Sequence, residues 1–274
     1  MFIDSHQHFW NKDKFVYPWL TPEMGCLYRT FMPSDLEPMV KENDIEKTVV
    51  VQAMASLDET RFLLELADQN DFIGGIVGWV DLQDADLDGT LSELRKNPKF
   101  KGVRHQIEDE ENREWMLQPA VIEGLKCVAK HGLCFDALLK LDQLWQLETI
   151  VKQIPDLKIV LDHCAKPDIA NDEFEPWANV MKDIAKLPIN CKLSGLITEA
   201  DHKNWTVADL RKYSDFVLKI FGADRVMFGS DWPVSTMAAD YSTSVKTIKT
   251  LLSNLPEDQI EKIMYLNAKH FYNI

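Results

Sequence analysis

Two histidines near the start of the chain and one aspartate near its end have the residue types and spacing best suited to chemistry. His6 and His8 stand in the segment I-D-S-H-Q-H, and Asp231 stands in G-S-D-W-P. In an extended strand, residues two positions apart project from the same face, so the two imidazoles would lie side by side. Two imidazoles and a carboxylate can hold a divalent metal or move protons. The spacing predicts an enzyme, provided that the fold brings the first strand beside the last apolar run.

The elements that must position these residues alternate between strand-like and helix-like segments along the whole chain. Eight runs are predicted as strands: Phe2–His8, Lys47–Met54, Phe72–Val80, Phe100–Gln106, Leu133–Leu138, Leu157–His163, Ile189–Leu193 and Arg225–Asp231. A segment of helical periodicity follows each run, which is typical of parallel sheets. Eight such units in 274 residues predict an α/β fold, a (β/α)₈ TIM barrel, as a single domain over residues 1–274. An open doubly wound sheet is the alternative, weakened because no G-x-G-x-x-G follows a strand.

Local patterns predict where several helices begin and end. Ser34 with Glu37, and Ser56 with Glu59, have the spacing of capping boxes that open helices. A longer helix is predicted over Arg113–His131, and a glycine follows it at the position of a C-terminal cap.

Bulk composition excludes several classes of partner. The formal net charge of −14 disfavours nucleic acid and anionic membranes, although it allows a small-molecule substrate. The cysteines are five in number, with no C-x-x-C spacing, which favours reduced thiols over a disulfide framework. No basic, apolar leader and no run of about 18 apolar residues is present, so we expect a cytoplasmic protein without a membrane span. Homo-oligomerisation stays open.

Polar and aromatic side chains recur where the predicted strands end, which is where barrel enzymes carry their active sites. Those considered as site residues are Gln52, Trp79, Arg104, His105, Asp136, Asp162, His163, Lys166, Lys192, Ser194, Ser230 and Trp232. His163 is predicted to join the catalytic group. Neighbours in a strand alternate in direction, so only one of Arg104 and His105 should face the barrel axis. Lys192 is interpreted as a solvated charge at a strand edge.

Aromatic residues near the strand ends have two interpretations. Trp10, Trp79 and Trp232 could be core residues or could line a pocket for a sugar ring. The long segment Phe9–Pro33 could close over the site as a lid. The chain has no G-x-S-x-G elbow, P-loop or H-E-x-x-H motif, which disfavours a covalent serine mechanism.

At these residues the chain resembles the amidohydrolase superfamily. The matching motifs are the early His-x-His, the D-H-x-x-x-P of Asp162–Pro167 and the G-S-D-W-P of Gly229–Pro233. The opening I-D-S-H-Q-H-F-W looks like the "amidohydrolase 2" branch, which includes sugar-acid lactonases (L-fuconolactonase and L-rhamnonolactonase types) and a pyrone dicarboxylate lactonase. The K-G-V-R-H of Lys101–His105 strengthens the similarity to the lactonases.

The resemblance implies at most one metal ion. Binuclear members use a carboxylated lysine or a glutamate and two further histidines. Here the fourth strand ends in Arg104 and His105 instead, the fifth offers no histidine, and only His163 remains at a later strand end. One divalent ion, Zn²⁺ or Mn²⁺, would be held by His6, His8 and Asp231, with His163 as a further candidate ligand. The resemblance also allows no metal, because some lactonases of this group are similar in site yet work without one.

The resemblance implies hydrolysis of a sugar-acid lactone, an aldono-1,4- or 1,5-lactone. Asp231 would take the proton of the attacking water and later deliver it to the leaving ring oxygen. The developing negative charge on the carbonyl oxygen would be stabilised by a metal at His6 and His8, or by His163 and Arg104. The residues assigned to substrate binding are Arg104, His105, Gln52, Trp79, Trp10 and Trp232.

Two alternatives stay open at this point. One is a metal-dependent decarboxylase of an aromatic or unsaturated carboxylic acid on the same fold. The other is a non-catalytic barrel that acts as a binding or scaffold protein, in which the polar residues at the strand ends would be dispersed structural partners.

Overall fold

Eight parallel strands form one sheet in a computed structural model that describes residues 1–274. Each strand pairs with the next along the chain, in the order β1 to β8. Their bounds are β1 Phe2–Gln7, β2 Ile45–Val51, β3 Ile73–Gly78, β4 Phe100–Gln106, β5 Cys134–Leu138, β6 Lys158–Leu161, β7 Asn190–Leu193 and β8 Val226–Phe228. This strand order, with helices between the strands, confirms the predicted (β/α)₈ barrel.

The barrel closes where the start of the chain meets its eighth unit. A parallel bridge joins Gln7 to Trp232. The backbone N–H of His8 donates to the carbonyl of Trp232 at 2.7 Å, and the N–H of Asp231 donates to the carbonyl of His6 at 2.8 Å. The same hydrogen bonds that close the barrel therefore place the histidine pair beside the aspartate, as the sequence predicts.

Helices follow every strand and surround the sheet. Their bounds are α1 Pro33–Glu42, α2 Leu57–Gln69, α3 Leu87–Leu94, α4 Pro119–Lys130, α5 Gln146–Gln153, α6 Phe174–Ile184, α7 Val207–Phe221, α8 Tyr241–Leu252, α9 Glu257–Glu261 and α10 Asn267–Tyr272. A π-helical segment, residues 262–266, joins α9 to α10. No helix has both the length and the apolar composition needed to cross a membrane.

The first helix begins earlier than its predicted capping box. Asp35, at the third helical position of α1, accepts a hydrogen bond from the backbone N–H of Met32 at 2.8 Å. The helix starts at Pro33, whose fixed backbone angle suits a first helical position. The predicted start at Ser34 with Glu37 is therefore wrong by one residue, because an aspartate one turn in supplies the cap.

The second helix begins as predicted, although its acidic residue has another role. The Oγ of Ser56 accepts from the N–H of Glu59 at 3.2 Å. The carboxylate of Glu59 caps the preceding loop instead, accepting from the N–H groups of Ala53 at 3.0 Å and Met54 at 3.1 Å. Gly132 follows α4 with a φ of 66°, a left-handed conformation that glycine adopts without strain. The predicted helix Arg113–His131 is shorter than expected, since only α4 of this stretch is α-helical.

Several strands end before the sequence pattern predicts. Strand β6 ends at Leu161 and β8 at Phe228, so the polar residues after them belong to turns. His163 and Cys164 have φ values of 51°, and Asp231 has a φ of 57°. Left-handed conformations at non-glycine residues are uncommon and often mark functional sites. Cys164, expected in a strand, is buried in the turn after β6.

Apolar side chains fill the interior of the barrel, and the end of the chain closes its lower end. Strand residues such as Ile3, Val49 and Met227 form one cluster with Ala268 and Tyr272 of α10. A larger cluster packs between the sheet and the surrounding helices. With its lower end closed by α10, the barrel leaves the carboxyl ends of its strands as the place for a pocket.

Candidate active site

Three imidazoles and one carboxylate converge where β1, β6 and β8 end. The Oδ1 of Asp231 lies 3.5 Å from Nε2 of His8, 3.8 Å from Nε2 of His163 and 3.9 Å from Nε2 of His6. The two Nε2 atoms of His6 and His8 are 3.2 Å apart. All four side chains are almost wholly buried. The structure therefore brings together the four residues that the sequence assigns to catalysis.

Hydrogen bonds on the far side of two rings fix how the imidazoles face the carboxylate. Nδ1 of His8 lies 2.7 Å from the carbonyl oxygen of Val51, which can only accept, so Nδ1 donates there and Nε2 faces Asp231. Nδ1 of His163 lies 2.9 Å from the Oγ of Ser194. Such contacts behind an imidazole set its orientation and tautomer.

Two glycines allow the rings to pack this closely. A Cβ built on Gly195 would lie 2.8 Å from Cβ of His163, and one built on Gly229 would lie 2.7 Å from Cβ of His6. Both distances are shorter than real carbon contacts. The glycine of G-S-D-W-P is therefore required sterically, because any larger residue at either position would displace a histidine.

The charge states in this group follow from burial. Burial lowers the pKa of His163 to about 4 and holds the pKa of His6 well below its ordinary value, so both rings are neutral at pH 7. Burial alone would raise the pKa of the Asp231 carboxyl, but His163 and the hydrogen bond from His8 hold it below its ordinary value. The site thus presents an ionised carboxylate among neutral imidazoles, an arrangement that can accept a proton.

A network of paired charges lies behind the imidazoles, inside the barrel. The ammonium of Lys192 donates to Asp136 Oδ2 at 2.5 Å and to His6 Nδ1 at 2.9 Å, and it forms a salt bridge with Asp162 Oδ1 at 3.0 Å. Lys192 is fully buried, so its prediction as a solvated strand-edge charge is wrong. It occupies a short buried strand, where an ammonium requires buried carboxylates as partners.

Arg104 completes this interior network, which we define as Lys192, Asp136, Asp162 and Arg104. One of its terminal nitrogens donates to Asp162 Oδ2 at 3.2 Å. The other donates to the backbone carbonyl of Gln52 at 2.5 Å. The network thus pairs two cations with two carboxylates, with no net charge at neutral pH.

The residue after Arg104 faces away from the barrel axis, as strand alternation predicts. The ring of His105 stacks on Trp115 with centroids 3.9 Å apart, and its Nε2 lies 2.6 Å from Glu110. The indole N–H of Trp79 donates to Nδ1 of His105 at 3.2 Å. Neither His105 nor Trp79, both predicted to bind substrate, lines the cavity described next.

A cavity of about 320 Å³ opens above the four catalytic candidates. His8, His163, Asp231 and Arg104 line it together with an apolar group and a polar group. The apolar lining is Trp10, Trp19, Met24, Leu27, Ala53, Leu138 and Val234. The polar lining is Gln106, Glu108, Asp109, Lys166, Thr198 and Glu199. Much of the apolar lining comes from the long segment after β1, so that segment covers the site.

The other predicted substrate-binding residues divide between the cavity and the core. Trp10 lines the cavity. Trp232 packs against Phe9 and Phe31, and it does not line the cavity. Gln52 is fully buried outside the cavity, and its side-chain amide has no hydrogen-bond partner.

Sequence reasoning missed several lining residues. Trp19 donates its indole N–H to the carbonyl of Ala53 at 2.7 Å, which holds the long segment against the end of β2. Glu199 stands in the segment after β7, where no motif marks it. The aromatic-rich segment directly after the first strand was the one sequence feature that could have predicted the apolar lining.

The spacing of the ligand atoms fits one divalent ion. His6, His163 and Asp231 present ligand atoms within 4.8 Å of one another. A tetrahedral zinc site with bonds of about 2.0–2.1 Å has ligand atoms about 3.3 Å apart, near the 3.2–3.9 Å found among His6, His8, His163 and Asp231. Nδ1 of His6 faces the ammonium of Lys192, and its Nε2 faces His8 and Asp231, so Nε2 is the atom that would bind an ion.

Comparison with known proteins assigns the fold and the site to one family. The amidohydrolase family model Amidohydro_2 matches residues 3–274. The chain belongs to this family. An L-fucono-1,5-lactonase of Burkholderia ambifaria is 36% identical over 280 residues, covering 99% of this chain and 95% of that protein. An L-fucono-1,5-lactonase of Burkholderia multivorans is 37% identical over 250 residues, covering 87% of this chain and 84% of that protein.

Solved structures agree with this family. An amidohydrolase from Burkholderia multivorans, determined with bound zinc, superposes with a TM-score of 0.95 at 33% identity, covering 100% of this chain and 99% of that one. A 2,6-dihydroxybenzoate decarboxylase from Rhizobium superposes with a TM-score of 0.69 at 14% identity, covering 99% and 98%. The second likeness shows the fold alone.

Proposed function

We propose that this enzyme hydrolyses the ester bond of a neutral sugar-acid lactone, with Asp231 as the general base. The observation that carries the proposal is an ionised carboxylate beside neutral imidazoles at the bottom of a partly apolar cavity. Hydrolases of carboxylic esters need such a base to activate water. The relatives named as L-fucono-1,5-lactonases support the same reaction class.

The reaction uses few groups. Asp231 accepts a proton from water as the water oxygen bonds to the lactone carbonyl carbon. Arg104 lines the cavity, and its guanidinium can stabilise the negative charge that develops on the carbonyl oxygen. Collapse of the tetrahedral intermediate breaks the bond to the ring oxygen, to which Asp231 can return the proton. A divalent ion held by His6, His8 and Asp231, with His163 in reach, would supply Lewis-acid polarisation of the carbonyl when bound.

The charges around the cavity favour an uncharged substrate. Its two cations are already paired, Arg104 with Asp162 at 3.2 Å and Lys166 with both carboxylate oxygens of Glu108 at 2.6 and 2.7 Å. No unpaired cation remains to bind a substrate carboxylate. This argues against an aromatic acid or a dicarboxylate lactone and for a neutral polyol lactone, whose hydroxyl groups can donate to the carboxylates of the lining.

The apolar lining points to a deoxy sugar. L-Fuconolactone carries a methyl group where L-galactonolactone carries a hydroxymethyl group. Trp10, Trp19, Met24 and Leu27 offer apolar contacts to such a methyl group. Burying one methyl rather than a hydroxymethyl group in an apolar site changes binding by about 1–3 kcal/mol.

The test is hydrolysis of a lactone panel followed with a pH indicator. L-Fucono-1,5-lactone, L-galactonolactone and a pyrone dicarboxylate lactone are compared for the wild type, with and without a chelator. Asp231→Asn should lower kcat by about 10²–10⁴-fold, whereas Asp215→Asn, an exposed change on α7, should leave kcat unchanged. Preference for the dicarboxylate, or release of CO₂ from an aromatic acid instead, would overturn the assignment.

The cellular compartment and the oligomeric state of the enzyme are also proposals. All five cysteines are free thiols, and three of them are buried, which suits a reducing cytoplasm. Association into a homo-oligomer remains an expectation that sedimentation of the purified protein would test.

A further inference from the structure

The cavity contains a second carboxyl group that the mechanism above does not use. Glu199 stands in the segment between β7 and α7 and lines the cavity together with Asp231. Its neighbour Thr198 contacts Asp231 directly, with Oγ1 3.5 Å from Oδ2. The backbone holds Glu199 in place, since its N–H donates to Gly195 at 3.0 Å and its carbonyl accepts from Ala170 at 3.0 Å. The backbone of Glu199 is therefore fixed, and its side chain lines the same cavity as the base.

The side chain of Glu199 has no salt bridge and no hydrogen-bond partner in the protein. The ammonium of Lys166 lies near it but donates to both carboxylate oxygens of Glu108, at 2.6 and 2.7 Å. Carboxylates whose charge reaches Glu199 belong to Asp231, Glu108 and Asp168. Glu199 is thus a carboxyl group among carboxylates, with the nearby cation already paired.

This environment makes Glu199 an acid where Asp231 is a base. Burial, opposed by Lys166 and reinforced by the three surrounding carboxylates, raises the pKa of Glu199 to about 7. A carboxyl group that keeps its proton near neutral pH can act as a general acid.

Opening a sugar lactone needs an acid at its last step. The leaving group is an alkoxide of the sugar chain, a strong base that leaves poorly unless it is protonated as the bond breaks. Asp231 can take a proton from water. It can act as an acid only after it has taken that proton. A separate acid that already holds a proton removes that dependence.

We propose that Glu199 is a second catalytic residue, which donates its proton to the ring oxygen of the lactone as that oxygen leaves. The inference rests on the proposed lactone hydrolysis and assigns the two proton transfers to different side chains. Glu199 touches the substrate because it lines the cavity in which the lactone binds.

The step balances without any further reactant. Water gives one proton to Asp231 as its oxygen bonds to the carbonyl carbon. The bond between that carbon and the ring oxygen then breaks, and its electron pair takes the proton of Glu199. The products are a hydroxy acid, protonated Asp231 and ionised Glu199. Exchange with solvent returns Asp231 to its ionised form and Glu199 to its protonated form.

The first arm of the test varies the leaving group. Wild type and Glu199→Gln are compared on L-fucono-1,5-lactone and on the corresponding thiolactone, whose thiolate leaves without needing a proton. The variant should lose about 10²–10⁴-fold in kcat on the oxygen lactone, with kcat on the thiolactone nearly unchanged. Glu199→Asp should recover part of the lost rate. Glu173→Gln, an exposed change nearby, serves as the control and should behave as wild type.

The second arm is the pH profile of kcat/KM on the oxygen lactone, corrected for spontaneous hydrolysis. Glu199 acts when protonated, so wild-type kcat/KM should fall as pH rises through about 7. Glu199→Gln cannot titrate, and the fall near pH 7 should disappear in that variant. This arm decides the question even if the thiolactone is a poor substrate, and thermal melting verifies that each variant is folded.

The proposal is overturned if Glu199→Gln slows both lactones equally, leaves kcat unchanged or retains the fall near pH 7. In those cases Asp231 performs both proton transfers. Failure of the underlying function looks different, because the wild type would then hydrolyse no lactone and Asp231→Asn would change nothing.

Discussion

Acidic residues lie both at the carboxyl ends of the strands and in the barrel interior just below them, but their surroundings differ. At the strand ends, Asp231 and Glu199 are carboxyl groups that face a cavity. Below them, Asp136 and Asp162 are carboxylates held by Lys192. The upper groups keep hydrogen-bonding capacity for a substrate, whereas the lower groups use theirs on each other.

The two layers are separated by only one or two residues along the chain. After β6, Asp162 belongs to the interior network, and His163, the next residue, belongs to the site. After β7, Lys192 lies in the network, and Ser194 supports His163. The comparison separates two kinds of charged residue. The charges of Lys192, Asp136 and Asp162 are paired with one another, whereas Asp231 and Glu199 face the cavity. Changes at the first three should therefore alter stability, and changes at the last two should alter rate.

The largest expected effect on stability comes from breaking the interior network. Lys192→Met leaves Asp136 and Asp162 buried without their ammonium partner. Losing one partner of a buried ion pair costs about 3–5 kcal/mol, so the free energy of unfolding in urea should fall by that amount. Lys212→Met, which breaks an exposed pair with Asp172, is the control and should cost about 1 kcal/mol or less. Equal stability of the two variants would mean that the network contributes nothing.

A smaller effect should follow from loosening the network at its lower end. The hydroxyl of Tyr272 on α10 donates to Asp136 Oδ2 at 2.9 Å. Tyr272→Phe removes this hydrogen bond to a charged group, which is worth about 1.5–3 kcal/mol, while kcat on the lactone should stay unchanged. Tyr265→Phe changes a hydroxyl that only contacts the exposed Lys269 and should cost less. A large loss of kcat in Tyr272→Phe would contradict the separation of the two layers.

The last effect depends on pH and concerns Glu59, a buried carboxyl group that lies outside both layers. Burial raises its pKa from 4.5 in the unfolded chain to about 7 in the fold, against hydrogen bonds from Met54 and Ala53 that lower it. The folded state holds this proton more tightly, so the stability it contributes is complete below pH 4.5 and is lost as pH rises to about 7.

Glu59→Gln removes this titration. Between pH 4.5 and 7 the wild type should lose stability relative to the variant by at most about 1.4 kcal/mol per pH unit, as measured by urea unfolding at each pH. The buried Asp4, whose pKa is raised to about 6, adds a similar slope to both proteins and cancels in the difference. A constant difference across this range would show that Glu59 is ionised throughout.

The convergence of the candidate catalytic residues could be predicted because the motifs and the barrel fold place the same residues together. His6 and His8 are two positions apart in a strand, and Asp231 follows the last strand, so a closed barrel must bring them together. The expectation that only one of Arg104 and His105 faces the barrel axis followed from strand alternation in the same way. Neither inference needed the position of a loop.

Other features depend on three-dimensional details that no local pattern contains. The direction of Lys192 depends on the register of a four-residue strand, and its partners lie on β5 and after β6. Trp232 follows a left-handed residue, which turns its ring into the core rather than the cavity. Glu199 lies in an irregular segment, where sequence gives neither direction nor burial. Predicted strands were too long because polar site residues continue apolar runs without a turn signal.

The most direct test measures kcat and the melting temperature together for Asp231→Asn with L-fucono-1,5-lactone as substrate. The account predicts a loss of kcat of about 10²–10⁴-fold with a melting temperature close to that of the wild type, because Asp231 belongs to the layer that faces the cavity. A variant with near-normal kcat, or one that loses activity only because it unfolds, would contradict the claim that Asp231 is the base of a lactone hydrolase.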